Sequence, residues 1–282
     1  MLVQGRCILV AALPLTSPSC EQYHPQPPFS RACPSPQNAM PPQSLVRAFY
    51  RQFLPDSIEV RSWRELAQLP LFNGASVALV GNAGYLIDSP NGRFIDQHDV
   101  VIRMNNFRTL GYEKSVGRRT DVFLTNFWID IDYSRPELAE VPIVVSSSPN
   151  NFRTRRRQGV TVRHAPLVNT GMAKMGRRVV FAPTLPWFVE RIGSIGRYPT
   201  TGAVGAMLLT EYLLNFCHDA YVTGFSFFTG RNHYFSKRFR DTANHNVDRE
   251  RRFLSDCLRP HLESGRIRVD DRLRRLLQQQ AA

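Results

Sequence analysis

Short apolar runs recur along the chain: 77–80 (VALV), 100–104 (VVIRM), 122–125 (VFLT), 143–146 (IVVS), 179–182 (VVFA) and 220–223 (AYVT). They are rich in β-branched residues and do not alternate with polar ones, which predicts strands buried on both faces. Between them the spacing turns helical. Residues 45–53 and 62–69 bring apolar side chains round every three or four positions, and Ser62 followed by Glu65 forms a capping box. Residues 201–216 (TGAVGAMLLTEYLLNF) are apolar on most faces and predict a buried helix. Residues 248–262 predict a helix with one charged side. Short buried strands separated by helices define the α/β class: a single Rossmann-like domain with a mostly parallel sheet flanked by helices. No internal repeat interrupts this order.

The first stretch of the chain has a different character. Residues 1–43 hold nine of the twenty prolines and show no periodicity. A segment of that kind does not bury enough surface to offset its ordering entropy, so 1–43 is expected to be a disordered tail and 44–282 the folded domain. Met40, just before the ordered pattern, is an expected alternative start. The apolar stretch 7–15 (CILVAALPL) is too short to span a membrane and is interrupted by a proline, which makes a poor secretory core.

Charge narrows the partners. The net charge is +13. A surface so basic attracts anions: nucleic acid, anionic lipid, or phosphorylated and carboxylated small molecules. Arginines are dense at 153–157 (RTRRR) and in the last helix, but no zinc-finger spacing and no aromatic-plus-basic RNA-binding motif accompanies them, so nucleic acid is not an expected partner. The five cysteines are odd in number and lack CxxC spacing, which argues for reduced thiols rather than a disulfide framework or a zinc site.

Candidate chemistry sits where strands end. VALV runs into Gly81-Asn82-Ala83-Gly84. In open α/β sheets ligands bind beyond the carboxyl ends of strands; glycine allows close approach, and an Asn side chain both donates and accepts. The plain alternative is an ordinary turn. Tyr198-Pro-Thr-Thr-Gly202 heads the buried helix, where a Thr cap and exposed N–H groups suit an anion, or simply start a helix. His233 (HYFS) and His245 (HNVDRE) follow the last core strand, and histidine is the side chain suited to base work near neutral pH. Asp130 and Asp132 form a DxD pair, which in nucleotide-diphosphate-sugar transferases holds a divalent metal, although so short a pattern recurs by chance.

Together these pieces resemble the animal-type sialyltransferases. Residues 77–120, with VALVGNAG, IDQHDVVIRMN and GYEKSVGRRTD, look like the large sialylmotif; 199–225 is similar to the small one. His233-Tyr-Phe-Ser236 resembles the third motif, and His245 with Glu250 matches the very small motif, His-x4-Glu. The four occur in family order. The resemblance implies a modified glycosyltransferase-A fold and transfer of sialic acid from CMP-sialic acid to a sugar hydroxyl, with inversion, without metal and without a cofactor, the CMP-sugar being a substrate. It implies that His245 is the catalytic base and that His233 assists near the phosphate. It also implies that Gly81, Asn82, Gly84, Asn105, Thr201, Gly202 and Tyr234 line the donor site, with Glu250 structural.

The departures carry expectations too. Val77 stands where the animal enzymes have a cysteine bridged to the small motif, so Cys217 is expected to be unbridged. That points to a bacterial-type cytoplasmic enzyme, docked on the inner membrane through its basic surface, with a Golgi-membrane enzyme as the alternative. Ser236 replaces a common acidic or aromatic residue. The expected partners are CMP-sialic acid or the chemically similar CMP-Kdo, a glycan acceptor, and an anionic membrane at the periphery. The rival readings are a metal-dependent transferase using Asp130 and Asp132, and a non-catalytic nucleotide- or polyanion-binding protein.

Overall fold

The structure, a computed structural model, describes residues 58–128, 130–155, 161–229, 233–236 and 245–278. All of them fall in one compact unit, 47–282. The proline-rich stretch 1–43, the helix expected at 45–53, and Arg156 and Arg157 of the RTRRR run lie outside the described residues.

Eight strands form one all-parallel sheet: β1 (Glu59–Ser62), β2 (Ser76–Val80), β3 (Val100–Met104), β4 (Val122–Thr125), β5 (Ile143–Ser146), β8 (Val179–Ala182), β9 (Asp219–Thr223) and β10 (Ile267–Val269). Their spatial order is β1-β8-β5-β4-β3-β2-β9-β10. A separate antiparallel hairpin joins β6 (Arg153–Arg155) and β7 (Thr161–Arg163). All six strands expected from the apolar runs form. β1, β6, β7 and β10 were not foreseen. β1 and β10 are sheet edges with polar residues at solvent-facing positions, and the hairpin carries arginines where a buried strand carries valines.

The central strands are apolar on both faces because both are covered. Val77, Leu79, Ile102 and Leu124 face a core built with α3 (Thr201–Glu211). Ala78, Val80 and Val101 face a second cluster with Leu86, Ile95, Tyr221 and Tyr234. Farther along the sheet, Phe123, Val144 and Val180 pack on Val168 and Met172 of α1 (His164–Lys174). The remaining long helices are α2 (Leu185–Ile195), α4 (Val247–Glu263) and α5 (Asp271–Gln278). The Ser62–Glu65 capping box is present, with Ser62 N–H donating to Glu65 Oε2 at 2.8 Å. Helix α3 is buried along most of its length, as its composition predicts, but ends at Glu211; a 3-10 turn, Leu213–Asn215, covers part of the remaining predicted span. Among the described residues no helix is long and apolar enough to cross a membrane.

The strand order reverses at β2. From β2 the chain builds outward through β3, β4 and β5, and only later returns to place β9 on the other side of β2. Such a switch point leaves a crevice at the carboxyl ends of the two strands, where helices cannot close over both.

Candidate active site

The crevice is floored by two glycine turns in contact. Gly81 follows β2 and Gly224 follows β9. Gly81 N–H donates to Thr223 O at 2.8 Å and Ala83 N–H to Gly224 O at 2.9 Å. A Cβ on Gly81 would sit 2.2 Å from Gly224 O, so main chain meets main chain and no side chain fits. Gly84 is buried and opens the 3-10 turn Gly84–Asp88. Between the glycines, Asn82 is held by its amide: Nδ2 donates to Met104 O at 2.9 Å. Its Oδ1 is buried and accepts from no described residue. That leaves a hydrogen-bond acceptor in the crevice, a match for a sugar hydroxyl rather than for a phosphate oxygen.

Asn105, after β3, adopts φ +48°, a left-handed turn that Asn tolerates better than most residues. Its side chain ties three elements together. Nδ2 donates to Thr201 Oγ1 at 3.0 Å, and Oδ1 accepts from Asn126 N–H at 3.1 Å. The amide is therefore engaged on both sides, and Asn105 shapes the crevice where the ends of β3 and β4 meet the start of α3. Arg135 reinforces this turn from behind. Its buried guanidinium donates to the carbonyls of Asn105 (2.9 Å), Asp132 (2.8 Å) and Phe107. Burial, and then neighbouring Arg108, bring Arg135 down to about 10, still a cation at neutral pH.

The third side of the site is the start of α3. Thr200 caps it, its Oγ1 accepting from Ala203 N–H at 3.1 Å. Thr201 and Gly202 occupy the first turn, whose N–H groups have no intrahelical acceptor and carry the positive end of the helix dipole. Gly202 lies against Phe225, whose Cε1 would be 3.0 Å from a Cβ there.

His245 closes the site. Its Nδ1 is 2.8 Å from Tyr198 O, and its ring stacks on Phe228 at 5.8 Å and 17°. A carbonyl only accepts, so Nδ1 carries a proton, and in the neutral ring the basic nitrogen is Nε2. Glu250, one turn into α4, fixes the same corner. It is buried, and its carboxylate accepts from Thr200 N–H at 2.8 Å and Thr200 Oγ1 at 2.5 Å. Burial pushes Glu250 up to about 7, against the two hydrogen bonds, which pull the other way. The His-x4-Glu spacing thus joins the start of α4 to the start of α3. Glu250 holds Thr200, two residues beyond the Tyr198 carbonyl that orients His245.

The HYFS segment docks on the turn that follows β2. Tyr234 N–H donates to Asn82 O at 3.1 Å. The Tyr234 ring is fully buried, and its hydroxyl accepts from Arg108 N–H at 2.8 Å while donating to Arg108 O. Burial raises this phenol to about 12. Tyr234 is thus a staple, and His233 beside it stacks on Phe235 at 5.0 Å.

Comparisons with known proteins bear on this constellation. Residues 64–132 match the family described as glycosyltransferase family 29 (sialyltransferase). A type 2 lactosamine α-2,3-sialyltransferase of Homo sapiens is 27% identical over 215 residues, covering 65% of this chain and 62% of that protein. The chain is similar to sialyltransferases in sequence and in fold. A β-1,6-galactosyltransferase of Arabidopsis thaliana is 40% identical over 77 residues, 25% of this chain and 19% of that one. The crystal structure of a mammalian sialyltransferase shares the fold, with a TM-score of 0.52 and 21% identity over 83% of this chain and 81% of that one. The chain spans less than two thirds of the human relative it matches.

Two other expected features, Cys217 and the DxD pair, can also be placed. Cys217 is buried and free, its thiol pushed up to about 12 by burial. The DxD pair lies on an exposed turn. Asp132 Oδ1 accepts from Ser134 Oγ at 2.6 Å and Ser134 N–H at 3.1 Å, which holds the carboxyl below its usual range. Asp130 offers its main-chain carbonyl to Asn106 Nδ2 at 3.3 Å. Among the described residues no three His, Cys, Asp or Glu side chains gather as a metal site. Sequence reasoning missed Arg135, the Tyr198 carbonyl and the Glu250–Thr200 bond. An Arg before Pro136 is a faint signal for the first, and none exists for a carbonyl.

Proposed function

We propose that the chain is an inverting glycosyltransferase. It moves sialic acid, or the related Kdo, from the CMP-activated donor to a glycan hydroxyl, with His245 as general base and without metal or cofactor. The observation that carries this reading is the Nδ1–Tyr198 hydrogen bond, which leaves Nε2 of His245 as the basic nitrogen beside the start of α3. Nε2 takes the acceptor hydroxyl's proton as that oxygen bonds to the anomeric carbon. The bond from that carbon to the CMP phosphate breaks on the opposite face, and CMP leaves with the electron pair. The first-turn N–H groups of Thr201 and Gly202 offer that anion a partner, and His233 assists near the phosphate. Asn82 Oδ1 suits a ribose hydroxyl. One phosphate needs no diphosphate clamp, and Asp132 already caps its own turn.

CMP release from CMP-sialic acid and CMP-Kdo, with and without EDTA, tests the reading. UDP-galactose serves as a third donor because one relative's name specifies galactosyl transfer. His245→Ala is expected to lower turnover ~10²–10⁴-fold while CMP still binds. Sensitivity to EDTA would transfer the proposal to the metal-dependent reading with Asp130 and Asp132. CMP binding without turnover on any donor would favour a binding module.

A further inference from the structure

The floor of the crevice is anchored by a residue outside all four motifs. Asp270 follows β10 at the sheet edge and precedes α5. One carboxylate oxygen, Oδ2, accepts from Tyr85 Oη and from Thr223 Oγ1, each at 2.7 Å. The other, Oδ1, caps α5 by accepting from Leu273 N–H at 2.8 Å. Tyr85 Oη in turn accepts from Gly224 N–H at 2.9 Å. One carboxylate therefore grips the end of β9, the turn after β2 and the start of the last helix. Burial and the adjacent carboxylate hold the Tyr85 phenol protonated, which this pattern requires.

We infer that Asp270, acting through Tyr85, is a positioning residue for the donor, latching the Gly81–Asn82 turn against Gly224 so that Asn82 is pre-set before the nucleotide arrives. The inference rests on the proposed CMP-sugar reading. Gly81 and Gly224 touch main chain to main chain, so neither carries a side chain that could lock the other in place. Two main-chain hydrogen bonds already join the turns, and the side-chain lock comes from outside, through a hydrogen-bonded pair 185 residues apart in sequence. A binding turn held in its bound geometry avoids the ordering penalty at association, which appears as donor affinity rather than as rate.

Tyr85→Phe keeps the ring and removes the hydroxyl; Asp270→Asn keeps the shape and removes the charge. In the full chain, Tyr85→Phe is expected to weaken CMP binding by calorimetry about tenfold, in line with losing a hydrogen bond to a charged group. The donor KM should rise in parallel, with kcat at saturating donor within about twofold and the acceptor KM unmoved. Hydrogen exchange of the amides at 81–85 should quicken by a similar factor. An unchanged donor KM with lowered kcat would mark a merely structural role and overturn the latch, as would unchanged exchange at 81–85. Asp270→Asn, which also weakens the α5 cap, should show the same donor effect with a lower Tm. If the wild type fails to bind CMP, the donor assignment falls, while the exchange rates still decide whether the turn is latched.

Discussion

Glu250 is a buried carboxylate whose partners are both hydrogen-bond donors on one residue, Thr200. Its proton affinity in the folded chain corresponds to about 7, against an ordinary 4.5. A raised folded value favours the fold while the proton stays on. The contribution is fully present below about pH 4.5 and is lost as pH rises through about 7, a swing on the order of 3 kcal/mol. Urea unfolding at pH 5 and pH 8 should show this fall in the wild type and a flatter profile in Glu250→Gln. Equal slopes in the two proteins would contradict the assignment. Gly81 makes a sharper case. A methyl group there would meet the Gly224 carbonyl, which is main chain and has nowhere to go. Gly81→Ala is expected to cost about 1–3 kcal/mol by forced separation of the two turns, and to abolish CMP binding in the fraction that folds. His164 is buried against Ser146 Oγ at 3.1 Å, and burial pulls its ring down to about 4, so it stays neutral at physiological pH.

At the scale of elements, the site is a meeting of two helix starts with the ends of four strands. Thr200→Val should loosen both helix starts together, because its hydroxyl caps α3 and meets Glu250 of α4. The expected loss is ~0.5–2 kcal/mol for the cap, with a further drop in activity as the Tyr198 carbonyl drifts from His245. Circular dichroism melts beside turnover at low temperature would separate the two effects. The strands that build the crevice floor were legible because a strand buried on both faces must be apolar throughout, and 77–80, 100–104 and 122–125 are. The edges were not: Glu59-Val60-Arg61-Ser62 reads as surface. Helices α1 and α2 were also hidden, since Pro166 and Gly171 interrupt one and Pro186 sits in the first turn of the other. In the site, the motif residues announced themselves by type. The groups that hold them did not, because Arg135, Tyr85 and Asp270 work through contacts spanning roughly 30 to 185 residues, which no local pattern encodes.

For the whole molecule, the charge of +13 remains to be placed. Arg272, Arg274 and Arg275 stand exposed on α5, whose Leu273, Leu276 and Leu277 face inward. Peripheral attraction to anionic bilayers predicts co-sedimentation with phosphatidylglycerol vesicles but not with neutral ones. Each arginine near the surface is worth about 1 kcal/mol, and raising salt should release the protein as screening shortens to ~8–10 Å. Binding that survives molar salt would point to an apolar contact instead.

The topology also governs when the crevice comes into being. β2 pairs with β3 across a short connection, but its other neighbour, β9, lies some 140 residues later in the chain. Closing so long a loop is entropically slow, and parallel pairing offers no hairpin shortcut. A chain emerging during synthesis can complete β2 through β5 and still have only one wall of its crevice. The floor cannot exist until β9 docks, and its latch waits for β10 and the last helix. Under the proposed reading, donor binding therefore requires the β2–β9 pairing, and a half-folded copy lacking it would not compete for donor.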